Sequence, residues 1–244
     1  MKKIVAYIGS RQDSSRIVRY SKEILEKVKM EYDSPLSIDL VTPQDFEILP
    51  ATGCKTCFIK GECPTEDITQ DRARIVKRKL LEADLLLMAS PVYSHNVSGD
   101  MKNLIDRISY WDHIFALAGK PVVIVSTADS NGAEYVLNYL QKVMVVMGAV
   151  IVSSEYFLNT EPLNTEPETT EKKIQQIVLC IIDSLNKLGT FLPSDGQERL
   201  FQIYKNIIQN YSEEHFEYKY WKSHGLFDAT TLKEYFTKIS SISN

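Results

Sequence analysis

Five short apolar runs recur along the first two-thirds of this chain of 244 residues, and a segment of helical period follows most of them. Lys3–Ile8, Leu36–Val41, Asp84–Ala89, Pro121–Thr127 and Ala149–Phe157 have the length and character of strands. Between them, Ser14–Glu31, about Thr69–Glu82, Gly99–His113 and Asn131–Met147 read as helices. In the first of these, Ile17, Ile24, Leu25 and Val28 share one face. Alternation of this kind implies a parallel sheet with helices on both faces and right-handed crossovers. The spacing predicts an α/β three-layer sandwich with a five-stranded parallel sheet in the order 2-1-3-4-5. Ligands of such sheets bind outside the carboxyl ends of the strands, here beside strands one and three.

Charge and composition remove several classes. A formal net charge of −4 argues against a nucleic-acid binder, which needs a basic face. The apolar runs are too short to span a bilayer. The opening Met1–Ile8 resembles a secretory leader superficially, but Ser10-Arg11-Gln12-Asp13 follows at once, so it reads as a strand. The expected location is the cytoplasm, with no membrane and no nucleic-acid partner. Four cysteines in a chain this long do not make a disulfide scaffold.

The segment Leu158–Thr169 reads as a loop carrying a near-repeat, Asn159-Thr160-Glu161-Pro162 and Asn164-Thr165-Glu166-Pro167. An amphipathic helix follows, with Ile174, Ile177, Val178, Ile181, Ile182, Leu185 and Leu188 on one side, ended by Gly189 and Pro193. The expected division is a domain over 1–190 and a helical, aromatic-rich extension over 191–244. Phe201, Tyr204, Tyr211, Phe216, Trp221 and Phe236 are too many apolar rings for a disordered tail. The extension must pack on the core domain or on another subunit, and it is the expected subunit contact.

Two turns at the carboxyl edge carry the chemistry. Gly9-Ser10-Arg11-Gln12-Asp13-Ser14-Ser15-Arg16 joins strand one to its helix. Hydroxyls and backbone amides at a helix start suit a phosphate dianion, and an arginine adds charge. The plain alternative is a capped helix start with Asp13 or Ser14 as the cap. The second turn, Pro91-Val92-Tyr93-Ser94-His95-Asn96-Val97, opens into a helix that Ser98 is placed to cap. A planar ring fits against such a turn, with backbone amides at its polar edge.

The combined pattern resembles the NAD(P)H-dependent FMN reductase family of flavodoxin-like proteins, and in particular its iron-sulfur-flavoprotein branch. The matching residues are Gly9-Ser10 with Arg11 and Ser14, Gly53-Cys54-x-x-Cys57 with Gly61-x-Cys63, Asp67, and Ser90-Pro91-Val92-Tyr93 with Ser98-Gly99, Lys102 and Asp106-Arg107. They span roughly residues 1–157. The resemblance implies FMN held by three loops. The phosphate would sit on Ser10, Arg11, Ser14, Ser15 and Arg16. The isoalloxazine would lie against Pro91, Val92, Tyr93, Ser94, His95, Asn96 and Val97. Thr127, Asp129, Asn131 and Gly132 would close the far side. It further implies a homodimer or homotetramer in which a neighbour completes the site. NAD(P)H would be the electron donor. The acceptor would be small: a flavin, a quinone, a nitro or azo compound, or a metal ion. The alternatives are an electron-transfer flavoprotein fed by a protein partner and a non-catalytic flavin-binding sensor.

Cys54, Cys57 and Cys63 form the sharpest local pattern. A four-iron cluster takes four thiolates. Cluster-bearing relatives have a further cysteine where this chain has Ala51, and Cys180 reads as part of a helix core. The expectation is a loop lid with reduced thiols and neither a cluster nor zinc. No side-chain nucleophile or acid–base pair is required, since the flavin carries the chemistry. His95 is the one residue placed to approach ring or substrate, its alternative being a surface loop histidine. Lys102 and Arg107 read as helix-surface charges, with Asp106-Arg107 as an ion pair.

Overall fold

The computed structural model describes residues 1–159 and 167–242. Five parallel strands form one sheet in the order β2-β1-β3-β4-β5. They are β1 (Lys2–Ile8), β2 (Leu36–Val41), β3 (Leu85–Pro91), β4 (Pro121–Ala128) and β5 (Val150–Leu158). The inner strands β1, β3 and β4 are buried on both faces, which is why their sequences are apolar almost throughout. Alternate side chains divide between two cores. Ile4, Ala6 and Ile8 point to one face, where helices α1 (Arg16–Glu31) and α7 (Pro167–Asn186) cover them. Val5 and Tyr7 point to the other, covered by α3 (Ala73–Glu82), α4 (Gly99–Ile108) and α6 (Ala133–Val146). The expected sandwich and strand order are the observed ones. Among the described residues, no helix is long and apolar enough to cross a membrane.

Several boundaries differ from the sequence reading. Helix α1 begins at Arg16 with Ser15 at its N-cap, so neither Asp13 nor Ser14 caps it. Helix α3 starts at Ala73, because the Asp71 carboxylate takes the Ala73 amide at 2.8 Å before the helix turns. The segment expected as one helix over Gly99–His113 is two: α4 ends at Ile108, and a short α5 (Trp111–Ile114) follows. Its rings explain the break, since Tyr110 and Trp111 both turn into the core. The helix expected to follow the loop at Leu158–Thr169 is present, and residues 160–166 of that loop and its near-repeat lie outside the described residues.

The extension forms α8 (Asp195–Ile208), α9 (Phe216–Ser223) and α10 (Leu232–Ile242). It docks on its own chain. Phe201 and Trp221 stack at 5.3 Å between ring centres and join Phe115 in the second core. The Trp221 indole N–H donates to the His113 carbonyl at 2.8 Å. Ser194 and Gln197 close a capping box at the start of α8. Gln197 then reaches the Val145 and Ala149 carbonyls, both at 2.9 Å, at the far end of α6. Phe201, Trp221 and Phe236, among the rings expected to pack on the core domain or on another subunit, are thus buried within the subunit. Replacing Trp221 with alanine should cost about 3–5 kcal/mol of unfolding free energy by leaving a ring-sized cavity. Leu179→Ala, at an exposed position, should stay within about 0.5 kcal/mol. Urea unfolding monitored by circular dichroism reads both, and equal losses would contradict the docking.

Candidate functional site

Strand register brings the loops together. Ile8 pairs with Ala89, and Pro91 pairs with Thr127, so β1, β3 and β4 end side by side. Hydrogen bonds carry the match past the strands. The Gly9 amide donates to the Ala89 carbonyl at 2.8 Å, and the Val92 amide to the Thr127 carbonyl at 2.9 Å. Ser90 and Ser126, fully buried, bind the strand ends: Ser126 Oγ donates to the Ser90 carbonyl, and Ser90 Oγ accepts from the Ser98 amide, both at 3.0 Å. Ser90 belongs to the motif that carries the family resemblance, whereas Ser126 did not stand out in the sequence. A hydroxyl inside an otherwise apolar run was the available signal. Gly9 lets α4 approach closely, because a Cβ there would meet Ser98 Oγ at 2.7 Å and Met101 Cβ at 2.9 Å. Ser98 caps α4 as expected, accepting from the Met101 amide at 3.1 Å.

The first turn has the makings of an anion cradle. Ser15 sits at the N-cap of the 16-residue helix α1 without bonding the helix amides through its side chain, and the first turn holds no acidic residue. The positive end of the helix is thus left for a ligand. Ser10 and Ser15 hydroxyls meet at 3.0 Å. Arg16 reaches across to Asp129 at 2.6 Å, joining this turn to the one after β4. Asp129 is exposed, so this partner exchanges readily for another anion. Ser14 lies exposed on the same turn. Arg11 goes elsewhere. Its guanidinium binds Asp100 at 2.8 Å and Glu47 at 3.2 Å, and these partners raise its pKa.

The second turn is tight and strained. Tyr93 and Asn96 form an isolated antiparallel bridge, and Ser94 and His95 between them both have positive φ, 48° and 61°. Primed turns of this kind favour glycine or asparagine, so two other residues there store backbone energy at the site. Tyr93, Ser94, His95 and Asn96 are exposed, while Val97 is buried beneath them. Asn96 Oδ1 accepts from the Val97 amide at 2.8 Å. Gly132, in the third turn, faces this hairpin. A Cβ there would come within 3.2 Å of His95 Nδ1 and Val92 Cγ1, and its φ of 85° suits glycine. Asp129 and Asn131 are exposed on that turn and Thr127 is buried below it. All sixteen residues expected at the site thus lie on or beside three adjoining turns; Arg11 is drawn off by Asp100 and Glu47, and Arg16 holds Asp129 of the third turn.

The cysteine loop lies at the opposite end of α4. Cys54, Cys57 and Cys63 line one cavity of about 360 Å³ together with Ala51, Asp106 and Arg107. Arg107 is not the surface charge expected. It is buried, donates to Asp71 at 2.6 Å and to the Leu49 carbonyl at 2.9 Å, and pins the loop to α4. Asp106 pairs with Lys102 rather than with Arg107. The tail closes over the loop from outside: a Cβ on Gly61 would overlap the Phe216 ring at 2.4 Å, and its φ is 74°. Cys180 sits on α7, across the sheet from this loop. Among the described residues, no group of three or more His, Cys, Asp or Glu converges as a metal-ion site.

Two of these thiols, Cys54 and Cys57, differ electrostatically. Thr56 Oγ1 donates to Cys54 Sγ at 3.3 Å and, with other local donors, brings the exposed Cys54 thiol down to about 7. Burial pushes Cys57 up. The thiolate is the nucleophile, so Cys54 alkylation by iodoacetamide should rise through about pH 7 and precede Cys57 at every pH. Thr56→Val should move the Cys54 profile to higher pH. Peptide mass spectrometry reads the order, and a profile unmoved by that substitution would remove the hydrogen bond as its cause.

Several known proteins are similar to this chain. An iron-sulfur flavoprotein of Archaeoglobus fulgidus is 30% identical over 207 residues, 84% of this chain and 92% of that protein. An NADPH:quinone oxidoreductase of Arabidopsis thaliana is 30% identical over 114 residues, 43% of this chain and 57% of that protein. Among solved structures, an NADH:FMN oxidoreductase in its apo form superposes with a TM-score of 0.56 at 22% identity, covering 77% of this chain and 90% of that one. RosB superposes with a TM-score of 0.61 at 13% identity, covering 87% and 89%. These last two share the fold. The sequence profile of the NADPH-dependent FMN reductases matches residues 2–162. The turns that meet at the carboxyl edge all lie within that span, and the chain belongs to the NADPH-dependent FMN reductase family of flavodoxin-like oxidoreductases.

Proposed function

We propose that this chain uses NAD(P)H to reduce a small acceptor through FMN held by the three turns, and that the acceptor class is a quinone. When bound, FMN supplies the hydride-accepting and electron-donating chemistry. The rest falls to the protein. The first-turn amides of α1, with Ser10, Ser14, Ser15 and Arg16, hold the phosphate. Here Arg16 exchanges Asp129 for it, while Arg11 stays on Asp100 and Glu47 and stiffens the turn. The strained hairpin Tyr93–Asn96 and Val92 border the ring system, and backbone donors there stabilise negative charge on its polar edge. Gly132 keeps the third turn close without a side chain in the way. His95, with its ring 5.6 Å from that of Tyr135, is a wall of the acceptor space rather than a required acid.

One observation carries the reading: an α1 N-terminus that no side chain caps and no acid neutralises opens onto the same edge as the hairpin. The quinone reading draws on the quinone oxidoreductase relatives from Arabidopsis thaliana and Solanum tuberosum. The hairpin and Tyr135 are exposed, and a second copy of the chain covering them would make the working form a homo-oligomer. In this scheme, 1–190 is the flavin-binding domain and 191–244 braces it.

The test is direct. Protein loaded with FMN should oxidise NADH or NADPH in the presence of a water-soluble quinone. Arg16→Gln should weaken FMN binding about 10- to 100-fold through loss of a charge-assisted contact, and leave riboflavin, which lacks the phosphate, nearly unaffected. Flavin fluorescence quenching reads both affinities. Bound FMN without turnover by any acceptor would overturn the enzymatic reading. Equal losses for FMN and riboflavin would overturn the phosphate assignment.

A further inference from the structure

A relative matching 84% of this chain is named for an iron-sulfur centre, and the cysteine loop has to be weighed against one. A four-iron cubane takes four thiolates, one at each iron corner. The cavity beside α4 presents three, from Cys54, Cys57 and Cys63. The fourth place on its wall belongs to Ala51, which has no donor atom. Cys180 cannot fill it, since α7 packs on the other face of the sheet. Asp106 lies on the same wall and pairs with Lys102, but a carboxylate oxygen is not the thiolate that a cubane corner takes. The donor set does not fit the cluster.

The surroundings are nonetheless built for something electron-rich. Arg107 lines the cavity with its side chain 1% exposed, and its Nε–H is buried without a partner. A buried donor in that state is costly unless a ligand accepts its hydrogen bond. Its other nitrogens are fixed on Asp71 and the Leu49 carbonyl, so the guanidinium cannot turn away. Backbone at positive φ in Gly53, Lys55 and Gly61 wraps the loop around the cavity. Phe58 packs on Tyr110 and His113, and Phe216 holds the loop from outside. Three thiols thus line one cavity without yet converging on a common point, and the ligand set is one short.

We infer that the Cys54–Cys57–Cys63 pocket is a cluster cradle lacking one ligand: this chain carries no iron-sulfur cluster, and one thiolate at position 51 restores the site. Electrons then leave the protein from its flavin alone. The inference stands apart from the acceptor reading, because iron and sulfide are counted on resting protein.

Wild type, Ala51→Cys and Ala51→Ser are treated anaerobically with ferrous iron and sulfide and desalted into thiol-free buffer. Iron and acid-labile sulfide are then assayed. Wild type and A51S should retain neither above background. A51C should retain about four of each per chain, with a broad visible absorbance that bleaches on reduction. Stoichiometric iron in wild type would overturn the inference, as would an A51C protein that melts like wild type and stays metal-free. A second measurement needs no variant. Phenylarsine oxide joins two neighbouring thiols, forming two As–S bonds with release of water. One equivalent should protect two of Cys54, Cys57 and Cys63 in wild type from N-ethylmaleimide. Unchanged alkylation of all three would show that the thiols do not share a cavity.

Discussion

The parallel pairing of β1 with β3, and of β3 with β4, is the constraint on which the site depends. Register is a discrete quantity: a slip of one residue would send every buried side chain to the wrong face. With both faces of the inner strands covered, no such slip is tolerated. The turns after these strands therefore meet at fixed height. Gly9 bonds Ala89, Val92 bonds Thr127, and two buried serines tie the seam. The cradle at the start of α1 and the strained hairpin at Ser94-His95 are held by this scaffold, which is rigid enough to support the hairpin's backbone cost.

A second framework runs along α4. One end is fixed by Ser98 beneath the hairpin and by Asp100 on Arg11. At the other, Arg107 and Asp71 form a buried pair that grips the cysteine loop. Helix α4 has ten residues and is about 15 Å long, so the turns at the carboxyl edge and the thiol cavity are one short helix apart. The tail then seals the loop, with Phe216 against Gly61 and Trp221 anchored on the His113 carbonyl. Extension, cysteine loop and sheet thus form one packed unit, and the extension's rings serve the subunit's own core.

Much of this was legible along the chain. Buried parallel strands need apolar residues on both faces, so the parallel sheet follows from alternation, while its order rests on analogy with doubly wound folds. The two turns were legible because hydroxyls, glycine and proline at strand ends have few other uses. Boundaries were legible less well. Asp71 delayed α3 by binding its amide and Arg107 together, and the break after Ile108 came from rings entering the core. Arg11 matched a phosphate ligand by type and place, yet Asp100 and Glu47, distant in sequence, claim it. Arg107 looked like a helix-surface charge because its partner lies 36 residues away and no local spacing announces the pair.

The order of polar and apolar residues by itself determined the strands and most of the helices, and the cysteine count set how many thiols the loop can offer. These are properties of the residues taken singly or at short spacing. Tertiary structure alone decided which charges are paired, which rings are buried and which donor stays unpaired beside the thiols. Each of these depends on contacts between residues far apart in sequence, and such contacts exist only once the chain has closed on itself.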